Sequence, residues 1–207
     1  MAKDNTPGGV NQSKLTLSKA TPSTTLVKPG DQPGVMRVNL NWTTGSKGFF
    51  RKSKPVELEL GCLYELSNGA KGVIAAIGNN FGALDSEPHI VLDGDDRSDA
   101  ANAGANLHID LARPELFRRV LIFAAGSDGV PNWAAANGVV TLFPTSGPQI
   151  EVHLDAPVQG ADSCAVALLQ HQGTGITVHR EVHYVEGAQR AIDEAYRWGM
   201  DWHSAST

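Results

Sequence analysis

Cysteine is scarce: Cys62 and Cys164 are the only two in 207 residues. That excludes the disulfide framework that staples small secreted domains. Each falls on the apolar side of an alternating run, which suits a small buried hydrophobe in a reducing compartment, and a cytoplasmic protein is expected. Blocks of Lys and Arg are also missing, and the formal charge is −5. Nucleic acid and membrane surfaces bind clustered cations, so neither is an expected partner. No apolar run is long enough to cross a bilayer, and the opening MAKDNTPGGVNQSK has no signal-peptide core. Membrane insertion is not expected. Catalytic signatures are lacking too. There is no Gly-x-Ser-x-Gly elbow, no glycine loop of phosphate-binding type before a helix, and no cysteine environment of low pKa, so the chain reads as non-enzymatic.

What the chain does have is a two-residue period. Met36, Val38, Leu40 and Trp42 alternate with Arg37, Asn39 and Asn41, as a strand with one buried face requires. The same alternation runs through Val56, Leu58, Leu60, Cys62 and Tyr64, through Ile150, Val152 and Leu154, through Cys164, Val166 and Leu168, and through Ile176, Val178, Val182 and Tyr184. The continuous runs Val73 to Ile77, Val120 to Ala125 and Val139 to Phe143 predict strands buried on both faces or shielded by the C-terminal segment. Turn residues separate them, for example Lys28-Pro29-Gly30-Asp31 and Ser67-Asn68-Gly69. The pattern predicts an all-β fold, a two-sheet β-sandwich of antiparallel and mixed strands. Apolar and small residues at helical spacing then predict a C-terminal amphipathic helix over 187–200. Residues 1–14 read as a lead-in, and 15–203 as a single domain. Arg180 falls at an inward position, from which its long stem can reach an edge.

The stretch with most chemistry is 93–106, DGDDRSDAANAGAN, where Asp93, Asp95, Asp96 and Asp99 stand between two apolar runs. Carboxylate, amide and carbonyl oxygens on a pliable loop suit Ca²⁺, although Asp and Gly also make ordinary turns. An EF-hand is excluded, because counting from Asp93 puts Arg97 at a ligand position, Ser98 at the sharp-turn glycine, and Gly104 at the terminal bidentate carboxylate. Glu57 and Glu59 share the polar side of one strand, either as further ligands or as a solvated or edge-protecting face. His179, Glu181 and His183 share a face of another, and the seven histidines form no zinc-type pairing. Trp133, Trp198 and Trp202 suit either an interaction surface or a half-buried core.

Leu15-Thr16-Leu17-Ser18-Lys19, Val38-Asn39-Leu40-Asn41-Trp42, Val56-Glu57-Leu58-Glu59-Leu60-Gly61-Cys62, Asn79-Asn80 and Gly94-Asp95-Asp96-Arg97-Ser98, taken in order, resemble phrases of the TerD family of tellurium-resistance and general stress proteins. Leu15-Thr16-Leu17-Ser18-Lys19 resembles its Leu-Ser-Lys phrase, and Val38-Asn39-Leu40-Asn41-Trp42 its Gly-Leu-Gly-Trp strand. Val56-Glu57-Leu58-Glu59-Leu60-Gly61-Cys62 stands where the family has Phe-Asp-Leu-Asp-Ala-Ser-Ala. Asn79-Asn80 and Gly94-Asp95-Asp96-Arg97-Ser98 are similar to its Tyr-Asn-Asn and Gly-Asp-Asn-Arg-Thr segments. The resemblance covers roughly Leu15 to Val185 and implies a bacterial, calcium-binding β-sandwich. It assigns ligands to Glu57, Glu59, Asp95 and Asp96, with Asp93 and Asp99 added from composition. The family's second acidic run is replaced by Asn102-Ala103-Gly104-Ala105-Asn106, so at most one weakly held Ca²⁺ is implied. The expected role is a stress-response binding protein that meets other proteins. The alternatives are a metal-free interaction scaffold, or a carbohydrate-binding or hydrolytic β-sandwich using Glu57, Glu59 and Asp95.

Overall fold

The computed structural model describes residues 13–43, 57–93, 104–127, 129, 131–173 and 175–202. Alternating apolar residues build the strands β1 (Lys14–Thr16), β2 (Ser23–Val27), β3 (Val35–Asn41), β4 (Leu58–Leu66), β5 (Lys71–Ile74), β6 (Gly82–Ala83), β7 (Ile90–Leu92) and β8 (Ala105–Asp110). They continue as β9 (Phe117–Gly126), β10 (Gly138–Phe143), β11 (Gln149–Leu154), β12 (Ser163–Gln172) and β13 (Gly175–Val185). One sheet has the order β1-β11-β10-β3-β8-β7-β6 and the other β2-β13-β12-β9-β4-β5. All pairings are antiparallel except β1 with β11, so the expected all-β sandwich with a mixed sheet is what forms. Among the described residues two short α-helices complete it, α1 (Trp133–Ala136) and α2 (Gln189–Tyr196). Among the described residues no helix is long and apolar enough to cross a membrane.

Two apolar clusters divide the interior. Met36, Val38, Leu40, Leu58, Leu60, Ile122, Val140 and Val152 meet others between the sheets. Leu63, Phe123, Ala125, Ala165, Ile192 and Trp198 form the second, between the six-stranded sheet and the C-terminal segment. That second layer explains the continuous run in β9, whose alternate residues feed both clusters. The other two runs meet the expectation only in part: Ile74 joins the inter-sheet cluster and Val73 and Ala75 pack into the one under the C-terminal segment, but the cover does not extend further. β5 stops at Ile74 and Ile77 is 43% exposed, while the outer face of β10 carries only the half-buried Val139 and Phe143 around Thr141.

Parity also fails locally in β12. Ala165 pairs Phe123 but Ala167 pairs Ile122, an inserted residue relative to β9. A slip of one residue turns every later side chain over. Leu168, which the alternation put in the inter-sheet core with Cys164 and Val166, therefore lies against the outer cluster, and Ala167 and Leu169 take the inner face. β13 adds another residue opposite this point, with Val182 at φ 43°. Arg180, beside this irregularity, is half-buried and close enough to Cys164 to favour its thiolate electrostatically.

The C-terminal helix is shorter than 187–200. Arg197 turns into the left-handed region at φ 49°, and its N–H donates to the Asp193 and Glu194 carbonyls, ending α2 at Tyr196. The buried Asp193 carboxylate then accepts the Gly199 N–H at 2.7 Å and the indole N–H of Trp202, folding 197–202 back onto the helix. Trp133 and Trp198 are fully buried and donate to the Ala161 and Tyr64 carbonyls at 2.9 and 3.0 Å. The structure thus removes both from any interaction surface.

Burial makes this core sensitive to base. It raises the thiols of Cys62 and Cys164 above their ordinary 9.0. Burial, with the neighbouring Cys164 adding to it, pushes the Tyr184 hydroxyl from 10.0 to about 12. The native state keeps these protons where the unfolded chain has begun to lose them, so stability is fully present below pH 9.0 and falls as pH rises through 10.0 and beyond. Urea midpoints measured at neutral and alkaline pH should show that decline, and Tyr184→Phe should make it shallower.

Candidate functional site

Leu58 and Leu60 are buried between the sheets, so Glu59 points to the opposite side of β4, across from Ala125 of the outer cluster. β5 pairs β4 only from Cys62 to Glu65, so among the described residues the strand at Glu59 has β9 on one side and a free edge on the other, where a charge also guards against strand pairing. Glu57 immediately precedes the strand, and its carbonyl accepts the Ser127 N–H at 3.2 Å. On the other sheet, Leu92 pairs Leu107 inside the core, and Asp93 follows on the outer side. There its carboxylate meets His108 Nε2 at 3.1 Å. Glu59 and Asp93 therefore point away from one another across the sandwich. Asp95, Asp96 and Asp99 lie outside the described residues. Among the described residues, no group of three or more His, Cys, Asp and Glu is placed to hold a metal.

The backbone nevertheless brings Asp93 and Gly104, which flank the acidic segment, and the start of β4 to one end of the molecule. Leu40 at the end of β3 pairs Ala105, and Asn41 pairs Val139 at the start of β10. A Cβ on neighbouring Gly138 would stand 3.5 Å from Leu58 Cδ1. The stems of the acidic segment are held together by the Asp93 N–H donating to the Asn106 carbonyl at 2.9 Å. Asn106 itself is a strand residue, not part of the loop. Its amide oxygen accepts from Arg37 Nη1 at 3.1 Å and Asn39 Nδ2 at 3.0 Å, while Arg37 stacks on Phe143 at 3.9 Å. Nothing in the loop's composition revealed this. The signal was the alternation of Asn39 and Asn41 with apolar residues, which marked the outer face of β3.

His179, Glu181 and His183 do share the helix-side face. His179 pairs Leu168, Glu181 accepts the Tyr196 hydroxyl at 3.0 Å, and the His183 ring lies 5.9 Å from that of Tyr196. This set serves the docking of α2 and offers no common point for an ion.

The tellurium resistance protein TerA of Alcaligenes sp. is 38% identical to this chain over 203 residues, 95% of its length. The chain belongs to the tellurium-resistance family. It spans 59% of the length of that TerA relative. No family model matches the sequence. Among solved structures, a homologue of telluride resistance protein TerD from Streptomyces coelicolor A3(2) superposes with a TM-score of 0.50 at 15% identity, covering 76% of this chain and 94% of that one. A crystal structure of a protein of unknown function gives 0.51 at 14% identity, covering 76% and 92%. These two likenesses establish the shared sandwich. The identity to TerA extends across the whole described domain, so the Ter-like assignment does not rest on the short phrases alone.

Proposed function

We propose that this Ter-family chain is a cytoplasmic, non-enzymatic stress-response module of bacterial type that holds one Ca²⁺ weakly at the end of the sandwich and engages another protein. The observation that carries the reading is the convergence of Glu57 with the stems of the acidic segment, Asp93 and Gly104, at that end. The donor set fits the ion, since hard carboxylate and carbonyl oxygens are what Ca²⁺ takes. Asp95, Asp96 and Asp99 would supply charge from the segment, with Asp93 and Glu57 flanking them. Glu59 points to the helix side, where it would contribute only through the packing of β4. When bound, the ion would tie two parts of the chain together and stabilise this end for contact with a partner.

A ligand that binds only the native state raises its apparent stability. Titration of chelator-stripped protein with Ca²⁺ should release heat, raise the thermal midpoint, and lose both effects in Asp95→Ala and Asp96→Ala. A metal-free scaffold is the second reading, favoured by the commitment of Asp93 to His108. It requires an unchanged midpoint at millimolar Ca²⁺ together with intact partner capture in the presence of chelator.

A further inference from the structure

β1 and β2 together form an arm laid on the rest of the molecule. Among the described residues, the hydrogen bonds that leave residues 13–27 run to β11 and β13. Lys14 to Thr16 lie parallel to Gln149 to Glu151, and Ser23 to Val27 lie antiparallel to Ile176 to His179. The arm supplies the terminal strand of both sheets. Its apolar side chains Leu17, Leu26 and Val27 are buried in the inter-sheet cluster. Pulling the arm away exposes these side chains and the edges of β11 and β13, unless an identical arm takes the same register.

The connection to the body permits that exchange. Residues 28–32 are all exposed, and a Cβ added at Gly30 would meet nothing. The body takes hold again at Gly34, whose N–H donates to Thr145 Oγ1 at 3.1 Å. Between the two the chain bends through a single turn with Pro29 and Gly30 at its centre, Gly30 at φ 88°. The Asp31 N–H donates to the Lys28 carbonyl at 3.1 Å, and the Lys28 N–H donates to the Asp31 carboxylate at 2.9 Å. Pro29 and Pro33 bias Lys28 and Gln32 toward extended backbone, so the segment straightens once those two hydrogen bonds open. Extended, residues 28–34 span up to about 24 Å, enough to carry the arm to a neighbouring molecule.

We propose that a second copy of this chain is a partner for these edges: two chains exchange β1 and β2 through residues 28–34 and form a reciprocal dimer. The occupant fits by construction, because each contact between arm and body in one chain is repeated between the two. The dimer differs from two monomers only in its hinges and in the entropy of association. A chain's own arm competes at an effective concentration in the millimolar range for a short connection, so the chain stays monomeric when dilute and pairs when concentrated. The exchange leaves the Glu57 and Asp93 end as it is and does not require calcium.

Thr25 stands opposite Thr177 across β2 and β13, so a cysteine at each position can close a disulfide when that arm lies on that body. A full-length Thr25→Cys chain and a differently tagged Thr177→Cys chain are mixed in urea, refolded under reductant at micromolar or millimolar concentration, and then oxidised. The native cysteines are buried and stay out of the reaction. A covalent heterodimer joined at positions 25 and 177 should form at millimolar concentration and be scarce at micromolar. Gly30→Ala placed in both chains strains only the closed turn, and should raise the dimerisation constant about tenfold or more. Absence of the covalent heterodimer at millimolar concentration overturns the proposal. So does an unchanged yield with Gly30→Ala, or a dimer in sedimentation whose cysteines at 25 and 177 do not join, which marks association through another surface.

Discussion

Trp198→Ala should cost about 3–5 kcal/mol of unfolding free energy, the range for deleting a buried aromatic ring. Trp198 closes the outer cluster, where it is fully buried with Leu63, Phe123 and Ile192. Its indole N–H donates to the Tyr64 carbonyl, and the Arg119 guanidinium lies 3.8 Å from the ring centroid. Lys71 Nζ also donates to the Trp198 carbonyl at 2.6 Å, fixing the segment to β5. Because the ring is the lid over β4 and β9, its loss leaves a cavity that a solvated segment cannot refill. Urea unfolding should show a lower midpoint with little change in slope, the signature of lost stability rather than altered denatured-state exposure. Trp198→Phe retains most of the apolar area and loses the hydrogen bond, so a loss of about 1–2 kcal/mol is expected. Equal effects for Ala and Phe would show that the ring is not what seals this layer.

Glu65→Ala is expected to be of comparable size, about 3–5 kcal/mol, because it removes one partner from a buried ionic contact. Glu65 is 4% exposed and accepts from Arg119 Nε at 2.6 Å and Arg118 Nη1 at 3.0 Å. Arg118 is largely exposed and recovers its hydration, whereas Arg119 sits beneath Trp198 and does not. The cost therefore falls on Arg119. A double-mutant cycle between Glu65→Ala and Trp198→Ala should be non-additive by about 1 kcal/mol, since both act on the same guanidinium. Additivity within error would separate the ion pair from the aromatic contact.

Much of the fold was legible because an inter-sheet core imposes a period of two. Met36, Val38 and Leu40, or Ile150, Val152 and Leu154, carry that period without interruption, and the structure buries all of them. β2 was invisible for the converse reason: Ser23, Thr24 and Thr25 supply no apolar face, and the strand exists because β13 offers it an edge. Leu168 was misassigned because the inserted residue that flips it belongs to the pairing of strands and leaves no mark in local composition. The helix read too long for a similar reason. Gly199 continues the small-residue spacing, but the left-handed turn at Arg197 and the grip of Asp193 on the following amides end α2 earlier. Of the candidate ligands, the acidic composition was readable while the direction of each side chain was not. Glu59 faces the helix side because β4 is covered on both sides, a consequence of 189–202 folding back onto the sheet more than a hundred residues later.

The pairing of β1 with β11 also bears on the order in which the molecule can assemble. Lys14 reaches Glu151 across a separation of 137 residues, and β2, which follows directly, adds to β13 in the other sheet. One short N-terminal segment thus fastens an edge of each sheet, and both of its anchoring strands are made late. During synthesis it has nothing to pair with until β11 and β13 have emerged, so both edges close after those strands are made. Contacts of such long range slow folding, because the entropy of closing the loop is lost before the strands reward it. Until then β11 and β13 present open edges, the state in which strands of different chains can pair.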